Sequence, residues 1–280
     1  MCWFRAILLT LVAGNAWSAG NGYMIGAGIE ADANDGTAVS VFGDFGASGN
    51  TWISAAMARS SSELLNGDEL NTVYAGIGID HFFTPLGIRA GVSYWGDPDV
   101  LDALDWRGSL YLRGMKGMLA GEFDFRNIDF TIPRTDTFPG RTISFNARGV
   151  GLNARLDLSD AVSLHLSGMD YDYSINLRLD PSRVNLIPLL TATRLSLSNS
   201  LVDYRASVGL GIDVGSRHLQ FDFASWRGAV DGGRTTSATM RFLMPMGGSS
   251  DIEFGLGYDD SELYGDTTFF SVFLYFYGGT

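Results

Sequence analysis

From Gly22 onward, apolar residues recur at every second position over runs too long for ordinary strands. In Val202–Val214 the apolar set is Val202, Tyr204, Ala206, Val208, Leu210, Ile212 and Val214; Asp203, Arg205, Ser207, Gly209, Gly211 and Asp213 alternate with it. Successive side chains of a strand point to opposite faces, so this pattern makes one face apolar and the other polar. Val73–Asp80, Ile88–Trp95 and Ile252–Asp259 repeat it, and helical spacing fits none of these stretches. Alternation alone also suits a soluble sandwich with one wet face. Length decides against that: the 202–214 run is more than twice the usual strand of about 5–6 residues, whereas a tilted strand needs ~9–11 to cross a bilayer.

The spacing of turn residues points the same way. Short links fall at 47–50, 84–87, 114–117, 159–161, 215–217 and 247–250. Between them lie longer links at 61–69, 96–105, 133–140 and 181–199, with tight turns near 32–36 and 230–233. Short turns at one end and long loops at the other belong to membrane barrels. The links predict an all-β fold: a transmembrane antiparallel β-barrel of about fourteen strands, or twelve if the shorter early ones merge. An even number brings both termini to the periplasmic side. In 141–158 and 162–180 the apolar phase shifts near Gly149 and Gly168. Either a β-bulge there or emergence of the strand above the membrane accounts for this.

Composition removes several alternatives. The net charge of −12 opposes nucleic-acid binding, which needs a surplus of cations. Cys2 is the only cysteine, so no disulfide scaffold exists. Beyond the first twenty residues no apolar run approaches the ~20 of a transmembrane helix. Residues 1–19, with Arg5 ahead of an apolar stretch and small residues after it, read as a signal peptide cleaved after Ser18 or Ala19. Residues 20–280 then form the barrel.

These features, with the aromatic terminal run Phe269–Tyr277, make the chain resemble bacterial outer-membrane β-barrel proteins, by size the small monomeric porin-like class. The resemblance implies a Gram-negative outer membrane and partners in its lipid and lipopolysaccharide. It also implies recognition by the barrel-assembly machinery through Phe270, Val272, Leu274, Phe276 and Tyr277. Gly278, Gly279 and Thr280 follow the last aromatic, a departure from the usual terminal aromatic.

Charges inside the bilayer must face water or each other, since a midplane Arg against lipid costs roughly 2–4 kcal/mol. The expected lumen-lining residues are Arg89, Arg107, Arg113, Glu122, Asp124, Arg126, Arg155, Asp157, Asp203, Arg205, Asp213, Asp222, Arg241 and Glu253, with Asp80, Asp172, Arg178 and Asp259 of the same character. They form either a hydrated pore for small hydrophilic solutes or an interior filled by ion pairs. Lys116 is the only lysine, and arginine's forked, fixed geometry suits such pairs. Phe82, Phe83, Trp95, Trp106, Trp226, Tyr258 and Tyr264 near strand ends are expected to form the interfacial girdle. The acidic stretch 96–105 reads as an external loop, and the apolar-centred 181–199 either covers the surface or enters the lumen. His165 and His218, with Ser163, Ser167 and Asp222 near them, leave a hydrolase as a weaker alternative to a channel or a non-conducting envelope barrel. No cofactor, no metal and no catalytic residue is expected.

Overall fold

The computed structural model describes residues 22–34, 36–63, 69–97, 100–132, 140–175, 201–263 and 265–279. Fourteen strands follow in chain order: β1 (Tyr23–Asp32), β2 (Thr37–Ser48), β3 (Thr51–Glu63), β4 (Glu69–Phe83), β5 (Leu86–Asp97), β6 (Leu101–Gly114) and β7 (Gly117–Ile132), then β8 (Arg141–Ser159), β9 (Val162–Tyr173), β10 (Val202–Val214), β11 (Arg217–Gly228), β12 (Arg234–Pro245), β13 (Ser250–Ser261) and β14 (Gly265–Gly278). Each pairs antiparallel with its chain neighbours, and β1 closes on β14 from Tyr23↔Gly278 to Asp32↔Phe269. Lipid offers the backbone no hydrogen-bond partner, so a spanning sheet must close and leave no edge. The predicted signal peptide and the 181–199 segment lie outside the described residues.

The short links at 49–50, 84–85, 115–116, 160–161, 215–216 and 246–249 all fall at the end of the barrel that holds both termini. This is the end that bacterial barrels turn to the periplasm. At the 215–216 turn Gly215 adopts φ +64, a conformation that costs glycine nothing. The opposite end carries the longest links, 133–140 and 174–201, with 64–68 and shorter ones at 98–100 and 262–264 beside them. One expected loop is not a loop: β5 runs to Asp97 and β6 starts at Leu101, so most of 96–105 is paired strand. The reason is apolar burial, because Trp95, Leu101 and Ala103 turn inward there and are buried.

No bulge interrupts the ladder at Gly149 or Gly168. Asp124↔Gly149 and Leu152↔Gly168 continue the pairing on both sides. Register shifts occur instead at Gly46/Ser48, Asp157/Ser159 and Val202/Tyr204. The change of phase in the sequence is therefore a change of surroundings. In the periplasmic half Leu152, Leu156 and Leu166 face outward and are exposed. Farther along, Phe145, Ala147, Met169 and Tyr171 face inward and are buried, while Arg148, Asp170 and Asp172 face outward and are exposed. The strands have risen out of the bilayer: the outer wall becomes wet, and the inner wall becomes the dry one.

That inversion builds a core at the extracellular mouth. Trp95, Leu101, Ala103, Ile128, Phe145, Ala147, Leu201, Ala229 and Val230 form one buried cluster, drawn from β5 to β8, from the entry to β10 and from the β11–β12 turn. A smaller inward cluster of Phe42, Phe273 and Tyr275 lines the β14–β1–β2 seam. There Phe42 lies over Gly26 and Phe273 over Gly28, so the glycines of β1 supply the floor on which neighbouring rings lie flat.

Candidate functional site

The wall facing outward is apolar: Ile29, Met57, Ile77, Leu110, Leu119, Val150, Phe223 and Leu256 are all well exposed. A water-facing surface this apolar would drive aggregation, so the belt is a lipid-facing surface. Phe83, Trp106 and Tyr258 of the expected girdle face outward with it and are exposed. Three other expected girdle residues do not. Phe82 turns inward and stacks on Tyr111, with ring centroids 6.2 Å apart. Trp95 is buried in the mouth cluster, and Trp226 packs against the inward Met169, Tyr171 and Val202. Phe82 has the parity opposite to Phe83, whereas Trp95 and Trp226 sit in the part of the wall where polarity has inverted. Tyr264 lies outside the described residues.

The pairing register places Arg89, Arg107, Arg113, Glu122, Asp124, Arg126, Arg155, Asp157, Arg205, Asp213, Asp222, Arg241 and Glu253 on the inner face, with Asp80 and Asp259. Asp203 falls at the β10 register shift, between the paired Val202 and Tyr204. Asp172 is opposite the outward Arg148, which corrects its expected inward placement. Arg178 lies outside the described residues. On β14, Phe270 and Phe276 face outward with Val272 and Leu274, while Tyr277 has the inward parity.

The inward charges gather at two levels. In the periplasmic half they are wet. Arg89 Nε donates to Asp80 at 2.7 Å, with the Arg89 side chain 46% exposed. Tyr111 donates to the other Asp80 oxygen at 2.6 Å, and Arg89 lies over its ring. Across the lumen wall Arg155 pairs with Asp157 at 2.9 Å, and Arg241 with Asp222 at 2.8 Å. His218 Nδ1 bonds Asp213 at 2.7 Å, while His165 Nε2 bonds Ser163 at 3.2 Å. The two histidines thus stand in separate hydrogen-bond sets, and the bonds at Ser163, His165 and Asp213 do not join into a Ser-His-acid relay. Among the described residues no group of three or more His, Cys, Asp or Glu side chains is placed to hold a metal ion.

Nearer the mouth the charges are dry. The Arg126 side chain is fully buried, 3.0 Å from Asp124 and 3.6 Å from Asp105, and donates to Tyr171 at 2.9 Å while lying 4.5 Å over its ring. Tyr171 donates to Asp124 at 2.9 Å, and Trp95 donates to Asp105 at 3.0 Å. Arg107 adds a bond to Asp105 at 3.1 Å. Gly149 makes the reach of Tyr171 geometrically open: a Cβ there would stand 2.6 Å from the ring. Sequence reasoning placed Asp105 in an external loop and missed Trp95, Tyr111 and Tyr171 as lumen groups. Their parity with the inward charges was the available signal; their apolar bodies disguised it.

A closed, even-stranded antiparallel barrel with an apolar exterior and an interior of charged residues defines the architecture of bacterial outer-membrane β-barrels. No protein-family model matches the chain, and no curated protein matches it. Among solved structures, the CymD monoaromatic hydrocarbon channel superposes with a TM-score of 0.59 at 10% identity, covering 94% of this chain and 89% of that one. An OmpT loop-L8 deletion mutant, an outer-membrane protein of Vibrio cholerae, gives 0.49 at 9% identity over 93% of this chain and all of that one. The KdgM porin gives 0.46 at 9% identity over 90% and 98%. The likeness to CymD shows a shared fold.

Proposed function

We propose that the chain is a porin-like channel of the Gram-negative outer membrane, passing small hydrophilic solutes through a charged lumen. The observation that carries this reading is that inward charges keep contact with solvent, from Arg89 (46% exposed), Asp213 (56%) and Asp157 (36%) toward the periplasmic rim to Arg155, Arg241 and Asp222 (21–29%) farther in. Water inside a lipid-facing wall is the requirement for passive diffusion. In this reading Arg89, Arg155, Asp157, Asp213, Asp222 and Arg241 line the path, and the Arg/Asp set near the mouth fixes its field. The outer partners are lipid and lipopolysaccharide against the apolar belt, and the assembly machinery at Phe270–Tyr277. We assign no catalysis: His165 and His218 face the lumen in separate pairs, away from the leaflet that a lipid hydrolase would need to reach.

Purified, refolded protein in planar bilayers tests the channel directly. Discrete current steps support it. A second reading has its own support, because the dry Arg126 cluster and the apolar mouth favour a non-conducting envelope barrel. Folded protein that stays electrically silent would establish that alternative.

A further inference from the structure

The carboxylates of Asp105 and Asp124 near the mouth are each engaged through one oxygen, Oδ2, while Oδ1 of each is buried without a hydrogen-bond partner among the described residues. Asp105 receives Trp95, Arg107 and Arg126; Asp124 receives Arg126 and Tyr171, with Arg107 3.8 Å away. A third guanidinium stands beside them. Arg205, inward on β10 and half-buried, has Tyr171, Arg126, Arg107 and Asp124 as its electrostatic neighbours. Among the described residues it makes no ion pair and no hydrogen bond. Arg205 is thus the guanidinium of this group that has no ion pair or hydrogen bond among the described residues, whereas Arg107 and Arg126 are both held by Asp105.

The surroundings of Arg205 are specific. Its cross-strand partners are Met169 on β9 and Trp226 on β11, two members of the same inward apolar cluster. Two residues toward the periplasm, Ser207 and Ser167 share a 2.7 Å hydroxyl contact. Beyond Ser207, Gly209 and Gly211 continue the inward face of β10 without side chains. A half-buried forked cation with apolar flanks selects a planar, singly charged oxyanion carrying an apolar body. A hydrated multivalent anion would lose more solvation than one guanidinium returns.

We propose that Arg205 is the binding site for the carboxylate of a small organic acid, whose apolar part lies against Trp226 and Met169. This deepens the channel reading by naming a solute class, and its test is made on binding so that the two can fail separately. Folded protein in detergent is titrated with sodium benzoate, sodium acetate and inorganic phosphate by calorimetry, with Trp fluorescence as a second signal. The expected order is benzoate tighter than acetate, and acetate tighter than phosphate. Arg205→Gln should weaken benzoate about 10- to 100-fold, the cost of a lost charge-assisted hydrogen bond. Arg205→Lys keeps the charge but loses the fork and should fall between. Phosphate competition against wild type supplies a readout if Arg205→Gln does not fold. No benzoate binding to folded wild type, phosphate binding tighter than benzoate, or equal binding by a folded Arg205→Gln would each overturn the site. A silent barrel that still binds benzoate through Arg205 would remove the channel and keep the site.

Discussion

At the residue scale, Arg126 shows how a charge can stay buried in this fold. Its cost of desolvation is offset by two carboxylates, one on its own strand β7 and one on β6, and by the phenol oxygen and aromatic face of Tyr171 on β9, which reach across β8. Removing only the cation strands Asp105 and Asp124 in a dry site. Arg126→Met should therefore destabilise the barrel by about 3–5 kcal/mol, read from urea unfolding in lipid. The triple variant Asp105→Asn, Asp124→Asn, Arg126→Met should recover a large part of that loss, because no buried carboxylate is left without its guanidinium and Arg107, which loses the Asp105 and Asp124 charges, is 26% exposed and keeps contact with water. An equal loss in single and triple variants would show that packing, not charge pairing, holds this level. Which charge meets which was not readable in the sequence. Alternation tells the face of Asp124 and Arg126 but leaves Asp105 in an external loop, and the partnership depends on register and on Tyr171 reaching across Gly149.

At the scale of the strand, one element passes through two solvents. The sequence made the strands legible where outside meant lipid: Ile252, Phe254, Leu256 and Tyr258 face out on β13 as their alternation requires. The same rule misread Trp95, Trp226 and Asp172, because it carried the membrane-level polarity past the bilayer surface. The inversion predicts opposite tolerances at two outward positions. Leu210, in the middle of the outward face of β10, should not accept a charge, and Leu210→Arg should cost roughly 2–4 kcal/mol of folding into liposomes. Asn127, outward on β7 beyond the inversion and exposed, should accept Asn127→Arg at about 0–1 kcal/mol. Similar penalties at both would place the lipid belt higher than the change of polarity indicates.

For the whole molecule, closure is the property on which every other depends, and the β1–β14 seam supplies it. That seam runs without a register shift over the full length of β1, and glycines at 26 and 28 seat the rings of Phe42 and Phe273 beside it. Both ends of the seam strands emerge together, since Tyr23 is opposite Gly278. The seam is then equivalent to any other hairpin junction except that its turn is missing. Barrel stability should reside in the closed ladder and not in the position of the chain break. A circular permutant that joins residue 22 to residue 279 through a short Gly/Ser linker, and opens at the Gly49–Asn50 turn, tests this. Gly49 lies in open space, so the new termini disturb no packing. The permutant should fold in detergent with the wild-type far-ultraviolet strand signal and the compact migration of an unheated barrel on gels. A permutant that reaches only an unfolded, heat-insensitive form would show that β14 must be the last strand to pair, making chain order a requirement of assembly in addition to closure.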